Sequence, residues 1–394
     1  MSTSMPRAPL PQAPFAPPPH PGAAPAPGRG AGKRLAAARL SRGALDLVIA
    51  LVVLAGAALV PLFAPTFLIP PLELVLVYVI ALASLVVLVG YCGQISLCQV
   101  SFMGLGAFLT AAFMGHYGWS FWVAAPAACL VVFGAGVAVG LPALRLRGLT
   151  LAIVTLSLAL VADNFLFTDI GWLNNDTYGW RLTPPQLFGF KLTDQDVRFR
   201  VFLAVTALVL LAVTRLRVGR TGKSWYAMRD AEIAAATSGV PIVRMKLLAF
   251  GIAAALAALA GALYALHNAS VNANSFMFIY SIQLLAIVVI AGVRSLRGAV
   301  LGALFYVLVP LALNNVAALQ GLTQLILGGG LILQMLFAPQ GIGGLLDDAE
   351  GRLFRRLLGA RDVEDPHRSP AAHPARVAAG PAWPAPKEDD DATL

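Results

Sequence analysis

Between residues 44 and 338 the chain repeats one pattern, an apolar run of 15 to 22 residues followed by a polar turn. A helix needs about 20 apolar residues to cross roughly 30 Å of hydrocarbon. The pattern predicts ten spans, at residues 44–63, 72–90, 96–115, 121–141, 149–167, 200–216, 246–267, 279–293, 298–316 and 322–338. The eighth is short for an upright crossing, and the third carries Gly104, Gly106 and several polar side chains, so each is a candidate re-entrant or discontinuous helix. The fold class expected is all-α, a polytopic integral membrane helical bundle of about ten transmembrane helices.

Charge orients these spans. Lys33, Arg34, Arg39 and Arg42 precede the first and place the N-terminus in the cytoplasm. The inward turns then hold Arg145 and Arg147, the basic segment 215–246, Arg294 and Arg297, and finally Arg352, Arg355 and Arg356. The outward loop from Asp169 to Phe199 has no such excess, so both termini are expected in the cytoplasm. Three regions follow: a Pro/Ala-rich disordered tail at 1–43, a transmembrane domain at 44–346, and a cytoplasmic amphipathic helix and disordered tail at 347–394. The first tail has ten prolines in its first 31 residues and no signal-peptide apolar core. One internal echo is visible: LRG at 146–148 and 296–298, each followed sixteen residues after its Gly by Asn164 or Asn314.

Composition agrees with the membrane class: 394 residues, 58% hydrophobic, 12% charged, mean hydropathy +0.78. The net charge of +9 does not indicate nucleic-acid binding, because the basic residues flank apolar spans and form no groove with interleaved aromatics. Cys92, Cys98 and Cys129 have neither metal-type spacing nor His partners and read as small hydrophobic residues. No metal site and no catalytic residue is expected. His116 and His267 stand alone near outward boundaries, and Glu73 and Asp163 lie near outward span ends, where snorkelling accounts for them.

The segment Arg215 to Lys246 carries seven Lys or Arg against Asp230 and Glu232, a local charge of +5. Within it Ser224 to Ser238 predicts one short helix, with Ser224 as N-cap, Gly239 at C′ and Pro241 blocking continuation. A helix this short is marginal alone and requires a surface to lean on. GRTGKS at 219–224 fails as a phosphate-binding loop, because Arg217 stands where its first Gly must be. Polar residues without charge mark a second region: Gln94, Ser96, Gln99 and Ser101 in and just before the third span, and Thr155, Ser157 and Asn164 in the fifth. Such groups either hold helices together or line a wet path; the amides of Gln99 and Asn164 favour the path. Gly136 with Gly140, Gly298 with Gly302, and the Ala-rich run 249–265 predict close helix packing.

GYCGQISLCQVSFMGLGAF at 90–108 resembles the permease subunits of branched-chain amino acid ABC importers. LPALRLRGLTLAIVTLSLA at 141–159, the stretch 219–265 and SLRGAVLGAL at 295–304 extend the resemblance through most of residues 45–345. Cys92 and Cys98 depart from the small residues usual there, and NNDTYGW at 174–180 departs from a Gly/Ser/Thr-rich segment. The resemblance implies a bacterial inner-membrane subunit with a second permease, two cytoplasmic ATP-binding subunits and a periplasmic substrate-binding protein as partners. It implies no cofactor in this chain, ATP being bound by the partner subunits. It also implies that the block of Arg229, Asp230, Glu232, Ala235 and Gly239, with Trp225 and Met228, couples to the ATPase; the polar residues Gln94, Ser96, Gln99, Thr155, Ser157 and Asn164 are the candidates, from their chemistry alone, for the translocation path. The alternative is an ion-coupled secondary transporter, which requires a buried titratable or cation-binding group that the sequence does not reveal.

Overall fold

Pro70 and Pro71 preset the first turn of helix α1, Ile69–Leu85, which continues as a π-helix over Val86–Tyr91. The computed structural model describes residues 66–146, 148–168, 180–182, 194–293 and 295–314, strand backbone at 186–187 and 190–191, and Gly329. The first and tenth predicted spans, both tails and the amphipathic segment EGRLFRRLLG lie outside these residues. After α1 come α2 (Gln99–Tyr117), α3 (Phe121–Ala143), and α4 (Leu149–Val161), the last extended by a π-helical turn at Ala162–Leu166. Then follow α5 (Gln195–Val218), the short α6 (Arg220–Asp230) and α7 (Glu232–Thr237), α8 (Ile242–Asn268), α9 (Phe278–Ala291) and α10 (Leu296–Asn314). Among the described residues, eight helices are long and apolar enough to cross a membrane, and they coincide with the second to ninth predicted spans. The protein is a multi-pass helical membrane protein.

The centre of the bundle is α8. Its small residues Ala253, Ala254, Ala257, Ala258, Ala260 and Gly261 are buried and let neighbouring backbones come close. A Cβ added to Gly106 of α2 would lie 2.3 Å from Ala258 Cα, and one on Gly261 would lie 1.8 Å from Met103 O. On the other side a Cβ on Gly136 of α3 would meet Ala254 Cβ at 2.4 Å, so the predicted packing role of these small residues holds. Gly302 packs similarly, against Ala291 and Leu82. The LRG echo is not a structural one: Gly148 precedes α4 as its N-cap, whereas Gly298 lies inside α10.

Contacts between turns sort the bundle into two ends. At the Arg-rich end, a Cβ on Gly90 would lie 2.1 Å from Val293 O, and Trp225 Nε1 donates to Met245 O at 2.9 Å. At the far end, strand β1 (Trp180–Arg181) pairs antiparallel with β4 (Ser270–Val271), and Trp180 meets the His116 ring edge-on at 5.0 Å. There Asp163 Oδ2 also accepts from Phe278 N, the first residue of α9, at 3.3 Å. The remaining strands, β2 (Gln186–Leu187) and β3 (Phe190–Lys191), form a separate hairpin. The turns joined by these contacts are on the ends that strict alternation of the spans assigns to them.

The third predicted span differs from expectation. Its helix α2 is unbroken at Gly104 and Gly106, which serve packing, and the irregular part precedes it, at Cys92–Cys98. Gln99 Nε2 donates to Ala253 O at 3.0 Å, and Ala253 lies about 16 Å along α8 from Ile242, so α2 begins inside the bundle. Helix α9 is short as predicted, about 21 Å, preceded by a 3₁₀ turn at Ala273–Phe276.

Candidate functional site

The basic segment folds as two helices rather than one. Helix α6 starts at Arg220, directly after α5, so Ser224 lies inside it and its hydroxyl donates to Arg220 O at 3.0 Å instead of capping. Ala231, at φ −155° and ψ 91°, breaks the chain before α7. Gly239, at φ 83°, ends the segment in the left-handed region that a C′ residue requires, and Pro241 then precedes α8.

This break divides the seven expected coupling residues. Trp225, Met228 and Ala235 are buried against the bundle, with the Trp225 indole held by Met245 O. Arg229 is half-buried and donates through Nη1 to Gly90 O, at the C-terminal end of the π-helix where carbonyls lack intrahelical partners. Glu232 Oε1 lies 2.7 Å from Lys246 Nζ, an ion pair whose ammonium is buried and lacks hydrogen-bond alignment to any acceptor among the described residues. Asp230 and Gly239 are exposed. Sequence reasoning missed Ile233, which stands 78% exposed on α7 amid exposed Ala234, Ala236 and Thr237. An aliphatic side chain in a polar, basic turn was the available signal. Burial pushes the Cys92 thiol, beside this cluster, up to about 12; Lys246 opposes the shift and Glu232 adds to it.

The expected path residues form two groups. Ser96, Gln99 and Thr155 are enclosed around the start of α2, with Gln94 half-buried just before them. Thr155 Oγ1 accepts from Leu97 N at 3.0 Å and donates to Ala152 O; Gln99 Nε2 donates to Ser84 Oγ at 2.7 Å; Ser96 Oγ lies 3.2 Å from Cys98 Sγ. Ser281 of α9, which sequence reasoning passed over, accepts from Val100 N at 3.1 Å. Hydroxyls from other spans thus satisfy backbone that has no helix of its own at this depth. Ser157 and Asn164 instead lie exposed on α4, returning hydrogen bonds to Ile153 O and Leu160 O. Thr150, also exposed, precedes Ser157 by seven residues and so shares its face, and Asn164 follows in the π-helical turn that extends α4.

At the far end Glu73 corrects its expected snorkelling. It is 0% exposed; Arg198 Nε donates to Oε1 at 3.1 Å and Oε2 at 2.9 Å, and His267 Nδ1 lies 2.8 Å from Oε2. His267 is therefore not alone, and the three residues join α1, α5 and α8.

The comparisons with known proteins agree with this architecture. The family model for the permease component of branched-chain amino acid transport systems matches residues 71–336. The chain is 33% identical over 290 residues to the Salmonella typhimurium high-affinity branched-chain amino acid transport system permease protein LivM, covering 68% of each chain. Against the Escherichia coli LivM the identity is 32% over 292 residues, again covering 68% of each. A shorter match, 32% over 139 residues, covers 33% of this chain and 42% of the ribose import permease protein RbsC of Bacillus subtilis. No solved structure matches. The relatives are transport permease subunits rather than enzymes, and this chain belongs to the family of permease components of branched-chain amino acid transport systems.

Proposed function

We propose that the chain is the membrane-spanning subunit of an ATP-driven importer that moves branched-chain amino acids, or related small amino acids, amides or carboxylates, into the cell by alternating access. It sits in the bacterial inner membrane with both termini cytoplasmic and needs no cofactor of its own. Its partners are a second homologous permease, two ATP-binding subunits and a periplasmic binding protein. The observation that carries this reading is the α6–α7 segment, held against the Arg-rich end by buried Trp225 and Met228 of α6 and Ala235 of α7 while Ile233 of α7 faces outward at 78% exposure. An exposed apolar anchor on a braced helix suits a groove on a soluble partner. Branched-chain amino acids as substrates follow from the transport system to which the LivM relatives belong.

The stripe of Thr150, Ser157 and Asn164 supports placing the path beside α4. Polar groups on a lipid-facing surface are unfavourable, so this face suits a second permease with a wet path between the two. The second reading, ion coupling, draws on buried Glu73. Its carboxylate is a poor fit to that role, because Arg198 and His267 already occupy both oxygens.

The test is uptake of labelled leucine, isoleucine and valine by proteoliposomes carrying the chain with its co-expressed ATPase, second permease and binding protein. Uptake is expected to require ATP and to survive an ionophore. Ile233→Asp is expected to abolish co-purification of the ATPase without loss of membrane insertion. Uptake that continues without ATP and stops when the ion gradient collapses would transfer the conclusion to a secondary transporter.

A further inference from the structure

We infer that Arg229 is a positioning residue that carries movement of the α6–α7 segment to α4 through the non-helical stretch Cys92–Cys98. The inference rests on the proposed importer function and adds a route through named residues.

The first link is the Arg229 guanidinium on Gly90 O. A cation at a helix C-terminus meets both free carbonyls and the negative end of the dipole. The second is steric. Gly93 lies at φ 75°, and a Cβ there would come within 2.9 Å of Arg229 Cγ and 3.3 Å of its Cβ. The arginine stem therefore fills the space that any other residue at 93 would need, and displacement of Arg229 is felt on both sides of Tyr91. The Tyr91 ring in turn lies 5.4 Å from that of Tyr226, one turn earlier on α6.

Beyond Gly93 the chain has little internal ladder to absorb a displacement. Its anchors at the far side are Leu97 N on the Thr155 hydroxyl and Val100 N on the Ser281 hydroxyl, in α4 and α9. Breaking either bond would leave an amide away from water without an acceptor, so a shift of the stretch carries the hydroxyl-bearing helices with it instead of parting from them. The π-helical turn over Val86–Tyr91, where the displacement enters, is a distortion often found at functional positions. At the receiving end α4 is mostly exposed and carries Ser157 and Asn164 on its open face. One turn earlier on the same face of α6, Trp225 is buried and bonded to the backbone of α8, which fixes that point. Tilting α6 about that fixed point moves Arg229, and the non-helical stretch follows.

The test reads α4 directly and does not depend on the substrate. In the assembled complex, Ser157→Cys is labelled with a small maleimide before and after trapping with ATP and vanadate, with the chain lacking that substitution as background for Cys92, Cys98 and Cys129. Trapping is expected to change the labelling rate at position 157 several-fold. Arg229→Gln is expected to abolish that change while the ATPase still co-purifies, and Arg229→Lys to restore part of it. Thr155→Val, at the opposite end of the route, is expected to have the same effect as Arg229→Gln. An undiminished change in Arg229→Gln, or in Thr155→Val, overturns the route. Loss of ATPase co-purification in Arg229→Gln with rescue by Arg229→Lys makes Arg229 a docking residue and also overturns it. A Ser157→Cys complex with Arg229 intact whose labelling does not change on trapping overturns the route, whereas a chain that forms no complex with an ATPase overturns the importer reading itself.

Discussion

Replacing Glu73 by Ala removes a carboxylate that is 0% exposed and leaves Arg198, 15% exposed, and His267, 13% exposed, facing the vacancy. Removing one partner of a buried ion pair costs about 3–5 kcal/mol, because the remaining charge loses its counterpart without regaining water. A separate estimate agrees with the lower end: interhelical polar contacts in membranes contribute on the order of 1 kcal/mol each, and three meet at this carboxylate. At roughly 1–2 °C per kcal/mol for a chain of this size, a loss of about 3 kcal/mol lowers the melting temperature by about 3–6 °C. Fluorescence-detected size-exclusion chromatography of the heated, detergent-purified chain measures that shift. The double variant Glu73→Ala/Arg198→Ala is expected to melt above the single Glu73→Ala, since no orphaned guanidinium remains. A Glu73→Ala chain melting within about 2 °C of the parent, or a double variant showing the sum of both single losses, refutes the reasoning.

Two further outcomes follow from the packing. Gly261→Val forces a side chain into a backbone contact and is expected to destabilise the bundle by at least about 1–3 kcal/mol, seen as a lower yield of monodisperse protein, whereas Ala262→Gly next to it costs less. Cys92, its thiol raised to about 12 by burial, holds only ~0.01% thiolate at pH 8, so maleimide labels it slowly in the folded chain and rapidly after denaturation. Labelling at the rate of a free thiol would place Cys92 outside the cluster formed with Lys246 and Glu232.

The spans were legible because each is a run of apolar residues whose length alone argues for a membrane crossing, and the basic turns between them gave the alternation that the two ends of the bundle reproduce. The coupling segment was legible in place and not in shape. Nothing local marks Ala231 as a break, since alanine is the strongest helix former; the break comes from packing that buries Trp225 and Met228 on one helix and Ala235 on the next. Ser224 has the chemistry of a cap, but the helix begins four residues earlier, immediately after α5. Glu73 stood out as a lone acid in an apolar run, but its partners lie 125 and 194 residues away and no periodicity connects them. The start of α2 was hidden for the same reason: the hydroxyls that receive its amides belong to Thr155 and Ser281, on other helices.

The glycine and alanine contacts that join α2, α3 and α8 also bear on the mechanics of the molecule. Where backbones touch, no layer of long side chains exists whose rotamers can take up a relative tilt, so these three helices form a stiff spine. Compliance is left to the rim. Helices α4, α9 and α10 have most of their apolar surface open to their surroundings and can rotate against the spine without breaking a backbone contact of that kind. Any transport cycle built on this fold is therefore asymmetric within the subunit, with one half serving as a bearing and the other as the part that turns.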